Sequence, residues 1–383
     1  MYKKIIYLTM APMEDSSGVY KKVISQSEAF LELGYECKVL FVRDTKYAYL
    51  RDIKSNITTE IDLNDSIAFT KLQKHIKEFS FCYARFELLR HKYYRKIIYS
   101  CYKEKINIVS EIPTYPPYQE SLARVRSLFY KKQYINALKT LIGTIFVIID
   151  MYIMSFYSNI VVIIADDKKF KLAKTLRIEN GINLKANPIQ KTDFHNVINI
   201  IAVSNFSVWN GYDRAIIGLR NYISSTGLHD IKLIMVGDKC AGKDLIKLAK
   251  KLGVMDDIEF RGSLSGSNLD AAYAEAHIAL GALGNHRRKV FQNSSLKAKE
   301  YASRGILMVL SDAEGMDIEI EKASFIVKSD ETPIDFKAIK TWFLNINNRE
   351  EQRLKLRNYA ETNFSWTNQI AKIIEFIKNK YGT

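Results

Sequence analysis

Short runs of apolar residues alternate along this chain with longer stretches whose apolar positions recur every three or four residues. In the first third, Lys4–Thr9 and Glu36–Val42 flank the amphipathic stretch Tyr20–Leu33, and Phe81–Phe86 and Ile106–Ile112 follow as strand candidates. Strand, helix, strand in that order predicts a parallel sheet with helices on its faces. The turn signal Glu179-Asn180-Gly181 interrupts the pattern, which starts afresh after Pro188. Val197–Val203, Lys232–Val236, Ile258–Arg261, Ile278–Leu283 and Leu307–Leu310 then read as strands, separated by helices at Asp213–Tyr222, Gly242–Leu252, Asn268–Ala276 and Ser295–Ser303. The expectation is an α/β protein of two doubly wound domains, residues 1–188 and 189–364. Residues 365–383 form a last helix, with Ile370, Ile373, Ile374 and Ile377 on one face, that crosses back to the first domain.

The most apolar segment, Leu141–Ile164, is broken by Asp150, Ser155, Ser158 and Asn159. A central Asp is costly in hydrocarbon, so this segment reads as a helix to about Tyr157 followed by a buried strand Ile160–Ile164 rather than a membrane span. Just before it, Ser121–Thr140 mixes Arg124, Arg126, Lys131, Lys132 and Lys139 with Leu128, Phe129, Tyr130, Tyr134 and Leu138. That composition suits a helix resting on anionic headgroups, and equally a solvated basic helix. Near the start, Ile5–Ala11 is too short for a secretory apolar region and reads as the first strand.

Composition narrows the class. With 47% apolar and 26% charged residues among 383, the chain folds around conventional cores. Cys37, Cys82, Cys101 and Cys240 show neither a disulfide framework nor zinc-ligand spacing, which fits a reducing cytoplasm. The net charge of +15 is lopsided: residues 1–190 hold 30 Lys and Arg against 19 Asp and Glu. Such a half meets nucleic acid, an anionic membrane or an acidic substrate, and no nucleic-acid motif supports the first.

Two doubly wound domains present their strand carboxyl ends to a common cleft, a layout that suits a bisubstrate enzyme. Five segments, in order, carry a resemblance: Ser17-Gly18; Glu111-Ile112-Pro113-Thr114-Tyr115-Pro116; Asn180-Gly181-Ile182; Gly211-Tyr212-Asp213-Arg214; and Ser295 to Ile306, which includes Lys297 and Glu300. Together they make most of the chain resemble the GT-B-fold glycosyltransferases, two Rossmann-like domains facing a cleft, and in particular family-4-like members of bacterial polysaccharide and capsule gene clusters. The resemblance implies transfer of a sugar from a nucleotide diphosphate donor to a hydroxyl of a glycan, with configuration retained and with neither metal nor cofactor. It further implies a polyprenyl-diphosphate-linked acceptor, a peripheral position at the inner face of the plasma membrane, and no nucleic-acid partner. Two other readings stay open: a sugar-nucleotide epimerase or hydrolase of the same fold, and a degenerate, non-catalytic partner protein.

By the same resemblance, the helix entered at Ser294, Ser295 and Leu296 offers its free N–H groups to the donor diphosphate, and Glu300 holds the ribose hydroxyls. The usual E-x7-E pattern is altered here, with Gln292 in place of the first carboxylate. Asn205 and Asn210 stand where family members often carry the Arg and Lys that bind the diphosphate. That charge is then expected from Arg287, Lys297 or Arg214. Gly18 is expected to let the backbone approach the donor closely. Glu111 is expected to steady positive charge at the anomeric carbon, with Arg85, Thr114 and Tyr115 beside it in the cleft.

Overall fold

The computed structural model describes residues 4–14, 17–43, 46–86, 91–113, 117–130, 132–164, 173–184, 187–189, 194–288, 296–312 and 323–381. The chain forms two compact units, Met1–Asn180 together with Trp366–Thr383, and Gly181–Ser365.

In the first unit β1 (Lys4–Thr9), α1 (Gly18–Glu32) and β2 (Glu36–Val42) make the opening βαβ turn, and β3 (Tyr47–Asp52) and β4 (Thr58–Asp62) follow as antiparallel strands. Then come α2 (Ser66–Ile76), β5 (Phe81–Arg85), α3 (Lys92–Lys103), β6 (Asn107–Ile112), α4 (Gln119–Tyr130), α5 (Tyr134–Tyr157), β7 (Ile160–Ile164) and β8 (Lys174–Ile178). The sheet order is β4-β3-β2-β1-β5-β6-β7-β8. Strand β3 ends in the polar pair Arg51 and Asp52, and β4 is interrupted by Glu60 and Asp62, of which Glu60 is exposed on this edge strand. The basic stretch read as one helix over 121–140 is two. Its chain reverses at Lys132, in the left-handed region at φ 57°, with the N–H groups of Lys132 and Gln133 closing on the carbonyls of Phe129 and Leu128.

The second unit contains β9 (Ile198–Val203), α6 (Tyr212–Thr226), β10 (Ile231–Val236), α7 (Lys243–Lys251), β11 (Ile258–Gly262), α8 (Gly266–Ala274) and β12 (Ile278–Leu280). It continues with α9 (Leu296–Ser303), β13 (Leu307–Ser311), β14 (Ser324–Val327), α10 (Phe336–Leu344) and α11 (Arg349–Phe364). Its strands are all parallel, in the order β11-β10-β9-β12-β13-β14. The inner strands β9, β10, β12 and β13 are mostly Ile, Leu, Val, Met and Ala because helices cover both faces, whereas β11 at the edge carries Glu259 and Arg261.

The last helix, α12 (Trp366–Tyr381), belongs to the first unit. Trp366, Ile370, Ile373 and Ile377 are buried in the core formed by Ile5, Tyr7, Phe30, Phe41 and Tyr83, and the Gln369 side chain accepts the Glu179 N–H at 2.9 Å. The chain therefore changes unit at Asn180–Gly181 and again at Ser365–Trp366. Beside the second change, the Ile182 N–H bonds the Phe364 carbonyl at 2.7 Å.

One glycine tests the packing of the second unit. A Cβ at Gly218, within α6, would lie 2.1 Å from the Ile334 carbonyl oxygen. Alanine gains about 1 kcal/mol of helix propensity there, but forced overpacking costs about 1–3 kcal/mol. Gly218→Ala is expected to lower the denaturant midpoint; a raised midpoint would contradict this packing.

Candidate functional site

Each sheet has one place where the connections leave in opposite directions, and there the loops at the strand carboxyl ends part to leave room for a ligand. In the second unit that place lies between β9 and β12, and in the first between β1 and β5.

At the second-unit switch point, the loop after β9 is held by Asn205. Its side-chain oxygen accepts from the Ser207 N–H at 3.3 Å, the Ser207 hydroxyl at 2.8 Å and the Asn210 side-chain amide at 3.3 Å. Asn210 is buried, and its own oxygen accepts from the Lys297 ammonium, on the first turn of α9. Lys297 also lies 5.6 Å from the Tyr212 ring centre. The two asparagines and Lys297, eighty-seven positions beyond Asn210, thus form one chain of hydrogen bonds. Backbone bonds join the loops after β9 and β12, from Leu283 N–H to the Asn210 carbonyl at 2.9 Å and from Gly284 N–H to the Trp209 carbonyl at 3.1 Å. Gly211, at φ 66°, permits this approach, since a Cβ there would stand 2.7 Å from the Gly284 nitrogen.

Glu300 lies three residues after Lys297, on the same side of α9. Its carboxylate is partly exposed, 3.5 Å from the Arg304 guanidinium. Arg304 in turn bonds Asp270 at 2.7 Å and covers the Tyr273 ring. Leu296 opens α9 with an exposed side chain. Gln292, Ser294 and Ser295 lie outside the described residues.

Two arginines expected as phosphate cations are committed elsewhere. Arg214 is 2% exposed and donates to the carbonyls of Thr332 (2.7 Å), Lys328 (2.9 Å) and Leu283. It fastens loops together and does not point outward. Arg287 uses all five donors: on Glu331 at 2.9 and 2.5 Å, on Asp213 at 2.9 and 2.7 Å, and on the Val208 carbonyl at 2.9 Å. The Arg287 hydrogen bonds outweigh partial burial and, with His286 assisting, hold the Glu331 carboxyl down at about 2. A bidentate clamp of this kind fixes the loop after β12 rather than presenting a charge to a ligand.

At the first-unit switch point, the Ser17 hydroxyl caps α1 by accepting the Tyr20 N–H at 3.3 Å, and Gly18 is the first helical residue. Nothing lies within 4 Å of where its Cβ would be, so the packing of this unit does not demand glycine there. Arg85 ends β5 opposite Glu111 on β6. Glu111 is fully buried rather than open to a ligand. Its carboxylate receives Lys22 at 2.8 Å, Gln26 at 2.5 Å and the Tyr83 hydroxyl at 2.7 Å, with Arg85 at 3.9 Å. Burial pushes the Glu111 pKa up, but Lys22 and Arg85 outweigh it and bring it to about 2. Burial lowers that of Lys22 more than Glu111 restores it. Lys22 also bonds the Asn180 side chain at 3.1 Å and sits over the Trp366 ring. Thr114 and Tyr115 lie outside the described residues.

Lys22, Gln26 and Tyr83 were not singled out from sequence, although a signal exists: Lys22 and Gln26, four apart, share the buried face of α1 with Val23 and Phe30. Polar residues on such a face mark a buried partner.

Neither a protein-family profile nor a curated protein matches this sequence. Solved structures do match in shape. Sucrose-phosphate synthase from Thermosynechococcus elongatus is 11% identical with a TM-score of 0.66, over 99% of both chains. A glycosyltransferase from Rickettsia africae is 15% identical with a TM-score of 0.64, over 99% of this chain and 98% of that one. HepE from Anabaena, solved with UDP and glucose, is 12% identical with a TM-score of 0.63, over 99% and 100%. The chain has the GT-B fold.

Removing one member of a buried ion pair costs about 3–5 kcal/mol, whereas replacing both by apolar or neutral groups is often close to neutral. Glu111→Gln is therefore expected to destabilise the protein by about that amount, and Lys22→Met with Glu111→Gln to recover much of it, as read by urea unfolding. Because the folded pKa of Glu111 lies below its ordinary 4.5, its ionic contribution is complete above pH 4.5 and disappears as pH falls toward 2. The acid limb of the stability profile should flatten in Glu111→Gln; an unchanged limb would contradict the assignment.

Proposed function

We propose that this protein is a glycosyltransferase that moves a sugar from a nucleotide diphosphate donor to a hydroxyl of a lipid-linked glycan, with retention and without a metal. The observation that carries the reading is the convergence of Asn205, Asn210, Lys297 and Glu300 at the β9–β12 switch point of a GT-B fold. Lys297 and the N–H groups at the start of α9 neutralise the departing diphosphate. Glu300 accepts hydrogen bonds from the ribose hydroxyls, and Gln292, eight residues earlier in sequence, contacts the transferred sugar. Arg287 and Glu111 act as positioning residues: Arg287 fixes the loop beneath the diphosphate, and Glu111 orders Lys22 and Arg85 on the acceptor-side unit. The acceptor is a polyprenyl-diphosphate-linked glycan of surface-polysaccharide assembly, met at the cytoplasmic face of the membrane. UDP is the first nucleotide to try, because the HepE structures were solved with it.

Thermal unfolding with UDP, GDP, ADP and dTDP in parallel tests the donor site. A nucleotide at 100 times its dissociation constant adds about 2.7 kcal/mol to stability. One of the four should raise the midpoint of the native protein and leave Glu300→Ala unmoved; no shift with any would contradict the reading. Release of free sugar from the matching donor without an acceptor would favour a hydrolase.

Gly18 supplies a second test. Since a methyl group there meets no protein atom, Gly18→Ala should unfold at the native temperature while slowing sugar transfer by at least about tenfold through obstruction of the substrate. Unchanged transfer would remove Gly18 from the site.

A further inference from the structure

Helix α5 is built inside out. The side chains it buries include Ala137, Thr144, Asp150 and Ser155, small or polar, along with Met151 and Met154. On the opposite side Ile135, Leu138, Ile142, Ile145, Ile149, Tyr152 and Phe156 recur every three or four residues and are 44–74% exposed. An ordinary amphipathic helix of a soluble domain has the reverse arrangement. The apolar surface continues onto α3, where the half-exposed Tyr102 ring lies 6.3 Å from that of Phe156, and onto α4 through exposed Phe129 and Tyr130. A contiguous apolar face of this kind marks an interaction surface.

Charge identifies the occupant. From 121 to 149 the sequence contains five basic residues and no acidic one. Of these, Arg124 and Arg126 along α4, Lys132 at the turn and Lys139 in the second turn of α5 are exposed. A second copy of this chain would bring the like charges of two such hairpins together, whereas anionic headgroups complement them. Although α5 has the length and apolar composition to cross a bilayer, its second half is part of the first unit. Met154 is in the core with Ile6, Leu8 and Cys82, and the Ser158 hydroxyl that follows the helix lies 2.6 Å from that of Ser110 on β6. Spanning would strip those contacts.

We infer that the outer face of α4 and α5 docks on an anionic lipid bilayer, with α5 lying along the interface, its apolar side chains among the acyl chains and the basic side chains of the hairpin reaching the headgroups. The inference deepens the membrane side of the proposed function but is tested without nucleotide or sugar, so either can fail alone.

The test is flotation of the full chain with vesicles of phosphatidylcholine alone and of phosphatidylcholine mixed with phosphatidylglycerol. The protein should float with the anionic vesicles, and more weakly as salt is raised. Ile142→Glu with Ile145→Glu should lower binding by at least about tenfold, and Arg124→Glu with Lys139→Glu should abolish the preference for phosphatidylglycerol; both variants should unfold at the native temperature. Failure to float with either vesicle would overturn the inference. So would a dimer in sedimentation that Ile142→Glu with Ile145→Glu dissociates, which would assign the face to a second copy, or resistance of the bound protein to alkaline carbonate, which would make α5 a spanning helix.

Discussion

Parallel pairing is the constraint on which the rest of this structure depends. When strands run the same way, every carboxyl end lies on one edge of the sheet, and each connection must return across a face. The second unit obeys this throughout, and in the first only β3 runs against the others, joined to β2 and β4 by antiparallel pairing. A sheet so built opens where successive connections part, between β9 and β12 in one unit and β1 and β5 in the other. The residues with the most distinctive chemistry follow those strands: Asn205 and Asn210 after β9, Lys297 and Glu300 on the helix after β12, Gly18 after β1, and Arg85 ending β5.

Charge in these regions is divided between fastening and presentation. Arg214 and Arg287 spend their donors on carbonyls and carboxylates of neighbouring loops, and such pairs set geometry more than they add stability. Lys297 is hydrogen-bonded to an asparagine and lies beside a tyrosine. An asparagine oxygen holds an ammonium in place without neutralising it. The pair of asparagines that departs from the expected cations thus orients a lysine arriving from another element. In the first unit the equivalent economy is internal, since Glu111 and Lys22 neutralise each other in the core.

The fold was largely legible in the sequence because doubly wound sheets write their strands as apolar runs and their helices as periodic ones. What was missed lay at or next to sheet edges: β4 and β8 carry polar residues that the pattern assigns to loops, β3 ends in Arg51 and Asp52, and β14 is only four residues long. Position along the chain was enough to set Lys297 and Glu300 on one helix after β12, but residue type did not show that the arginines are engaged elsewhere, since a guanidinium suited to phosphate is equally suited to carbonyls folded back from a distant loop. Glu111 shows the same limit. Its place at the strand end was readable, while its burial depended on Lys22 and Gln26 of a helix some ninety positions earlier. The outward face of α5 escaped because apolar periodicity alone does not say which side meets the protein.

The central claim is that the β9–β12 switch point receives a nucleoside diphosphate. A crystal structure of the protein with the nucleotide that stabilises it tests this most directly. The diphosphate is expected against the first turn of α9, within hydrogen-bonding distance of Lys297, and the ribose hydroxyls on Glu300. A nucleotide bound elsewhere, with Lys297 still on Asn210 and Glu300 still on Arg304, would contradict it.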